Sequence, residues 1–222
     1  MNYNSATSEN SVRFGKIALV ALFVMMMIAA KPASADEKNI VVLGDSLVAG
    51  YGLAPGEGFP EQLSGLLKSK GIKVNIINAG VSGDTTAGGL ARLDWSIQPG
   101  TDAVIVELGA NDALRGIAPA QTRDNLELII QNLKKRNIEV LLAGMKSPPN
   151  MGQQYVDAFD AIYPALAEQY NLLLYPFFLD GVAANPELNQ SDGIHPTAEG
   201  IRLIAQRFLP SALKLIEELG TQ

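Results

Sequence analysis

The stretch NIVVLGDSLVAG at residues 39–50 takes the chain from a predicted β-strand into a predicted helix. Its four consecutive aliphatic residues, 40–43, are typical of a strand that is covered on both faces. Gly44 and Asp45 then turn the chain, and Ser46 follows where a helix begins and backbone N–H groups have no intrahelical acceptor. This order of strand, turn and helix predicts the first unit of an α/β sheet.

The same alternation continues along the chain. Further short aliphatic runs occupy residues 74–77, 103–108, 139–143 and 172–175. Residues 122–136 carry aliphatic side chains at i, i+3, i+4 and i+7, which form one face of a helix. Residues 197–209 repeat this spacing, and we expect Pro210 to kink or end that helix before residues 211–219 continue it. The alternation predicts a single α/β domain whose parallel sheet is sandwiched between helices.

The amino-terminal segment has the pattern of an export signal. Arg13 and Lys16 precede IALVALFVMMMIAA at residues 17–30, an apolar run of 14 residues. As a helix this run would be about 21 Å long, whereas the hydrocarbon core of a bilayer is about 30 Å thick. The sequence Ala-Ser-Ala at residues 33–35 then matches a signal-peptidase site. We therefore predict a signal peptide at residues 1–35 and an exported domain at residues 36–222, with an uncleaved membrane anchor as the alternative.

Composition excludes several classes of function. The 222 residues include 17 Lys+Arg, 23 Asp+Glu, one His and no Cys, with a formal net charge of −6. A nucleic-acid partner is not expected, because such a protein needs a basic face. A thiol nucleophile is impossible, and a zinc site of the usual nitrogen and sulfur ligands cannot be assembled from one imidazole. Carboxylate-bound calcium or magnesium is not excluded, although no motif supports it.

Four polar turns are expected to meet at one edge of the sheet, because ligands of open parallel sheets bind at the carboxyl ends of the strands. The first three turns follow the first three strands. These turns, and a fourth that precedes the last helix, read GDS at residues 44–46, GVSGD at 80–84, GAND at 109–112 and DGIHP at 192–196.

Two of these turns supply a nucleophile and a base. His195 is the only histidine, and imidazole is the side chain whose unperturbed pKa of about 6.5 suits proton exchange near neutrality. A serine hydroxyl such as that of Ser46 needs such a base to attack an acyl carbon. Asp192 lies three residues earlier and can orient the imidazole. The alternative is that Ser46 only caps a helix and His195 is a surface residue.

The other turns supply donors for an oxyanion. Gly83 can present a backbone N–H without a Cβ in the way, and the Asn111 amide can donate from its side chain. The N–H of Ser46 would be the third donor. Alternatively, Gly83 is only a turn glycine and Asn111 only a helix cap. The chain has no Gly-x-Ser-x-Gly elbow, no phosphate-binding loop and no dinucleotide-binding glycine motif.

Together these turns resemble the four ordered sequence blocks of the SGNH/GDSL hydrolase family. Within that family, GDSLVAGY at residues 44–51, VELGANDALRG at 106–116 and AIYP at 161–164 are similar to the exported bacterial thioesterase I/lysophospholipase L1 group, also called arylesterases. The resemblance covers nearly the whole chain after residue 35. Ala110 departs from it, because that group usually has a second glycine before the asparagine.

The resemblance implies a three-layer α/β/α fold with a flavodoxin-like, five-stranded parallel sheet. It also implies a catalytic triad of Ser46, His195 and Asp192, and an oxyanion hole from Ser46, Gly83 and Asn111. The expected activity is that of an exported serine esterase that hydrolyses acyl esters, thioesters, lysophospholipids and aryl esters through an acyl-serine. We expect a monomer that needs no metal or organic cofactor. The alternatives are a carbohydrate O-acetylesterase of the same fold and a non-enzymatic exported binding module.

Two loops are candidates for the walls of a substrate pocket. ALRGIAP at residues 113–119 follows Asn111 and is interpreted either as a flap over an acyl chain or as an ordinary connection into the next helix. KSPPNMGQQ at residues 146–154 follows the fourth strand and is a second candidate wall. Neither loop predicts the length of the acyl chain.

Overall fold

The computed structural model describes Met1 and residues 37–220. Apart from Met1, the predicted signal peptide lies outside the described residues, so the boundary after residue 35 stays a prediction. Within residues 37–220, no helix is both long enough and apolar enough to cross a membrane.

The sheet has five strands, as the sequence predicts, and all four neighbouring pairs are parallel. The spatial order is β2-β1-β3-β4-β5, so the first strand lies inside the sheet and the second forms an edge. The strands are β1 (Lys38–Gly44), β2 (Val74–Gly80), β3 (Ala103–Glu107), β4 (Glu139–Ala143) and β5 (Leu173–Tyr175).

Helices cover both faces of the sheet, which confirms the three-layer α/β/α prediction. The helices are α1 (Ser46–Ala49), α2 (Phe59–Ser69), α3 (Thr86–Ala91), α4 (Leu93–Ser96), α5 (Ala110–Leu114), α6 (Pro119–Lys135), α7 (Gln153–Asp160), α8 (Ile162–Tyr170) and α9 (Ala198–Gly220), with a 3₁₀ turn at Pro149–Met151. Helices α2 and α9 pack together in one layer, and α6 packs with α3, α7 and α8 in the other.

The central strands carry the core. All five residues of β3 are buried, as are the last five of β1 and the last four of β4. This burial explains their continuous aliphatic sequences, because each central strand is covered by helices on both faces. For β2 the prediction of a strand buried on both faces is wrong. Ile77 is 37% exposed, since β2 has only one neighbouring strand.

The last helix continues through Pro210 to Gly220, so of the two predicted effects of this proline, a kink or an end, the end is wrong. Phe208 and Ala212 are buried on either side of the proline. The Phe208 ring packs edge-on against Phe59 of α2, with centroids 5.2 Å apart. Burial of an apolar stripe on both sides offsets the backbone hydrogen bond that a proline lacks.

Strand register brings the polar turns together. Gly44 at the end of β1 pairs with Gly80 of β2 on one side and with Glu107 of β3 on the other. The three strands therefore end at the same level. The turns that follow them lie at one edge of the sheet, as the sequence predicts for an open parallel sheet.

Candidate active site

Ser46 is the first residue of α1, and Asp45 is its N-cap. The Asp45 carboxylate accepts a hydrogen bond of 3.0 Å from the backbone N–H of Leu47. The alternative in which Ser46 is the capping residue is therefore wrong. Since another side chain caps the helix, the Ser46 hydroxyl is left for other partners.

The Ser46 hydroxyl meets the only imidazole of the chain. His195 Nε2 lies 2.9 Å from Ser46 Oγ, across 149 residues of sequence. On the other side of the ring, His195 Nδ1 lies 2.7 Å from Asp192 Oδ2. An ionised carboxylate only accepts hydrogen bonds, so Nδ1 carries the proton of the neutral ring and Nε2 accepts from the hydroxyl. This is the tautomer that a general base requires.

Asp192 is held by the turn that carries His195. Its Oδ1 accepts from the backbone N–H groups of Ile194 and His195, each at 3.0 Å. The hydrogen bond from the His195 ring, followed by these two backbone donors, lowers the pKa of Asp192 to about 2. The carboxylate is therefore ionised at neutral pH. Gly193 adopts φ of 75°, in the left-handed region that glycine tolerates, within this turn.

Two residues that the sequence analysis did not assign to the site hold His195 in place. The Gln190 backbone N–H donates to the His195 carbonyl at 2.7 Å. Its side-chain amide donates to the carbonyls of Tyr51 at 2.8 Å and Pro196 at 3.0 Å. The Tyr51 ring packs against the imidazole with centroids 4.6 Å apart. The contacts with Tyr51 join segments that are distant in sequence, so no local pattern predicts them.

The candidate oxyanion donors lie on three turns. Gly83 has φ of 84°, and its carbonyl accepts a 2.7 Å hydrogen bond from Arg115. Among the described residues, the backbone N–H of Gly83 has no backbone acceptor. Asn111 is the second residue of α5, whose N-cap is Gly109, so the alternative that Asn111 caps a helix is wrong.

Two buried carboxyl groups, those of Asp45 and Glu107, lie close to Ser46: Asp45 precedes it in the chain, and Glu107 Oε2 accepts from the Asp45 backbone N–H at 3.4 Å. Asp45 is 0% exposed, and burial raises its pKa to about 6, while hydrogen bonds from Leu47 and Asn111 oppose that increase. Glu107 is also 0% exposed, and burial followed by the charge of Asp45 holds its pKa well above the usual range. Its Oε1 has no hydrogen-bond partner among the described residues. The burial of Asp45 and Glu107 at the site was not predicted from the sequence, although a glutamate at the end of an aliphatic strand was a possible signal.

A cavity of about 510 Å³ opens beside the serine. Ser46, Asn111 and His195 lie in its wall, whereas Gly83 and Asp192 do not. The rest of the lining is mainly apolar and includes Leu114, Met145, Lys146, Ser147, Pro148, Pro149, Phe177, Leu179, Ala183, Ala184 and Ile194. The first part of the predicted wall at residues 146–154 thus lines the cavity. Residues 113 and 114 of the other candidate loop belong to α5, and Ala110 begins that helix and also lines the cavity.

The site contains one cation in its wall and no cluster suited to a metal. Lys146 Nζ lies 5.3 Å from the centroid of the Phe177 ring. Across residues 37–220, no group of three or more His, Asp or Glu side chains is arranged to hold a metal ion.

Sequence comparison places the chain among known hydrolases. The GDSL-like Lipase/Acylhydrolase family matches residues 42–203. The chain is 41% identical over 191 residues to the arylesterase of Vibrio mimicus. This match covers 86% of this chain and 94% of that protein. The chain is also 40% identical over 182 residues to the thioesterase 1/protease 1/lysophospholipase L1 of Escherichia coli K12. That match covers 82% of this chain and 85% of that protein.

Comparison with solved structures also finds an esterase. The crystal structure of AlinE4, an SGNH-hydrolase family esterase, superposes with a TM-score of 0.68 at 49% identity, covering 81% of this chain and 96% of AlinE4. The fold, the match over residues 42–203 and these relatives lead to one conclusion. The chain belongs to the GDSL-like lipase/acylhydrolase family and is a carboxylic ester hydrolase.

Proposed function

We propose that this ester hydrolase acts through an acyl-enzyme on Ser46, with His195 as the base and Asp192 as the group that orients it. One observation carries the proposal. Hydrogen bonds of 2.9 Å and 2.7 Å run from Ser46 Oγ through the imidazole to the Asp192 carboxylate. Nucleophile, base and orienting carboxylate thus stand in the order that acyl transfer requires.

The steps follow from this arrangement. Ser46 Oγ attacks the acyl carbon as His195 Nε2 takes the hydroxyl proton. The tetrahedral oxyanion is stabilised by the N–H groups of Ser46 and Gly83 and by the Asn111 amide, and each such donor contributes roughly 3 kcal/mol. His195 then gives its proton to the leaving alkoxide or thiolate, and the acyl-serine forms. Water, activated by His195, releases the carboxylic acid and restores the hydroxyl.

The cavity supports acyl chains longer than acetyl as substrates. It measures about 510 Å³, and most of its lining beyond the polar end is apolar. Apolar lining stabilises a bound chain by about 0.8 kcal/mol for each methylene removed from water. Together with the names of the relatives, this supports acyl esters, aryl esters, thioesters and lysophospholipids as substrates. An acetyl group alone would fill only a small part of this cavity.

We also propose that the protein is exported and acts as a monomer. The apolar run at residues 17–30 and the Ala-Ser-Ala site at residues 33–35 support removal of a signal peptide. Sequencing the amino terminus of the exported protein should then begin at Asp36. A protein that retains residues 1–35 would contradict this part of the proposal.

The test of the mechanism uses Ser46→Ala and His195→Ala with p-nitrophenyl esters of two to twelve carbons. By analogy with other serine hydrolases, we expect kcat to fall at least about 10³-fold in either variant. A fluorophosphonate should label the unaltered enzyme but not Ser46→Ala. Ser69→Ala, which removes an exposed hydroxyl from α2, is the matched control and should behave like the unaltered enzyme.

Three outcomes would contradict the proposal or its substrate range. Full turnover by Ser46→Ala would exclude the acyl-serine. Failure of the unaltered enzyme both to accept the label and to hydrolyse any ester would favour a binding module. In the chain-length series, a steep fall beyond acetate would favour the O-acetylesterase.

A further inference from the structure

Asp45 makes two different contacts with its two carboxylate oxygens. Oδ1 accepts from the Leu47 backbone N–H at 3.0 Å and caps α1. Oδ2 accepts from Asn111 Nδ2 at 3.0 Å, across 66 residues of sequence. The first contact shapes the turn that carries Ser46. The second joins that turn to Asn111, a proposed oxyanion donor in the first turn of α5.

The second contact determines which way the Asn111 amide faces. An amide carries an oxygen that accepts and a nitrogen that donates two hydrogens, whereas an ionised carboxylate only accepts. The nitrogen must therefore face Asp45, and its second hydrogen is left for another acceptor. Within the described part of the chain, the Asn111 side chain has no other hydrogen-bond partner. Asp45 is therefore the residue whose hydrogen bond orients the amide.

Capping does not require an ionised side chain at position 45. Ser, Thr and Asn cap helices about as well as Asp, and a buried charge is costly. Burial raises the pKa of Asp45 to about 6, and the nearby carboxylate of Asp84 acts in the same direction, while His195 opposes it. The carboxylate form still predominates at neutral pH. A charged group in this buried position is therefore explained better by its contact with Asn111 than by the cap.

We propose that Asp45 is a positioning residue for the oxyanion hole, holding the Asn111 amide with its NH₂ group toward the substrate. This inference rests on the proposed function, in which Asn111 donates to the oxyanion. Asp45 itself touches no reacting atom. Its effect should appear in kcat rather than KM, because the oxyanion exists only in the transition state and the tetrahedral intermediate.

Two substitutions separate the cap from the contact with Asn111. Asp45→Ser keeps a hydroxyl that can cap α1 but is too short to reach Asn111. Asp45→Asn keeps the shape and the capping oxygen but presents an NH₂ group to Asn111. Two donors then face each other, so the Asn111 amide inverts and places its oxygen beside the substrate. The isosteric substitution should therefore be the more harmful one.

The experiment measures kcat and KM on p-nitrophenyl butyrate for both variants, for Asn111→Ala and for the double variants, with thermal unfolding as the folding control. We expect Asn111→Ala to lower kcat by about 10²-fold or more. Asp45→Asn should lower kcat by about 100-fold and Asp45→Ser by about tenfold, with KM within about threefold in each. In the Asn111→Ala background, both Asp45 substitutions should lower kcat by less than about threefold, because the amide they act through is absent.

Failure of this inference is distinguishable from failure of the proposed function. If Asn111→Ala keeps kcat within about threefold, the proposed oxyanion hole is wrong and the inference falls with it. If Asn111→Ala lowers kcat but the Asp45 substitutions lower it equally with and without Asn111, Asp45 has only a structural role and the inference alone is overturned. Should Asp45→Asn not fold, the same cycle with Asp45→Ser decides.

Discussion

Two aspartates lie on opposite sides of Ser46, and burial gives them opposite electrostatic behaviour. Asp192 has a side chain that is 39% exposed, and hydrogen bonds led by that from His195 lower its pKa to about 2. Asp45 is 0% exposed, and its pKa is raised to about 6 although it also accepts hydrogen bonds, from Leu47 and Asn111. Hydrogen bonds thus favour the ionised form of both groups. Desolvation decides which way the pKa moves.

The two groups therefore affect stability with opposite sign. The folded-state pKa of Asp192 lies below the ordinary aspartate value of 3.8, so its contribution to stability is present above about pH 4 and is lost as pH falls toward 2. The folded-state pKa of Asp45 lies above the same ordinary value. Asp45 consequently destabilises the fold increasingly as pH rises from about 4 to 6. Three substitutions test this contrast.

The largest effect is expected for Asp192→Asn. An amide at this position can donate to His195 Nδ1, which favours the tautomer that cannot accept from Ser46. We expect kcat to fall by about 10³- to 10⁴-fold, as in other serine triads, with little change in thermal unfolding because the side chain is partly exposed. Asp180→Asn, which removes an exposed carboxylate paired with Arg207, is the matched control. Retention of kcat within about tenfold would show that Asp192 does not orient the base.

The next largest effect is expected on the stability of a variant at Asp45, the buried aspartate. Asp45→Asn removes the cost of ionising a buried carboxyl group. The free energy of unfolding of the variant, relative to the unaltered protein, should increase by about 2–3 kcal/mol between pH 4 and pH 7. Urea unfolding at the two pH values measures this difference. A difference that stays constant with pH would mean that Asp45 titrates normally in the folded state.

The smallest effect on activity is expected for Glu107→Gln. Because burial keeps the pKa of Glu107 well above its usual range, a neutral amide of the same shape should replace it with less than about threefold change in kcat. The same substitution should raise the free energy of unfolding more at pH 7 than at pH 4, since only the unfolded state ionises readily. A tenfold loss of kcat in a well-folded variant would instead indicate that Glu107 is charged and required.

The fold was predictable because its signals are local. Runs of aliphatic residues in β1, β3 and β4 reflect burial on both faces, which repeats along each strand. The exposure of β2 was not predictable, because the sequence of a strand does not indicate whether that strand lies at the edge of the sheet. The sequence predicted that residues 211–219 are helical, but not that α9 runs through Pro210 without a break, which depends on packing against Phe59 of a distant helix.

For the candidate site, the sequence predicted the main residues but not the contacts that support them. Ser46, Gly83, Asn111, Asp192 and His195 were assigned from short motifs and from a family resemblance, and the structure brings Ser46, Asp192 and His195 into one hydrogen-bonded chain. Their roles remain the proposal that the experiments above test. The supporting contacts of Tyr51 with Gln190 and His195 carry no local signal and appear only in three dimensions.

By itself, the amino-acid sequence determined the alternation of strands and helices and the residue types at the ends of the strands. Both follow from local patterns, because periodicity and turn chemistry depend on residues that are close together in the chain. Only the tertiary structure decided that Asp45 and Glu107 are buried together close to Ser46, and which way the Asn111 amide must face. Desolvation depends on everything packed around a group. That environment comes from β1, β3 and their covering helices, which lie far apart along the chain.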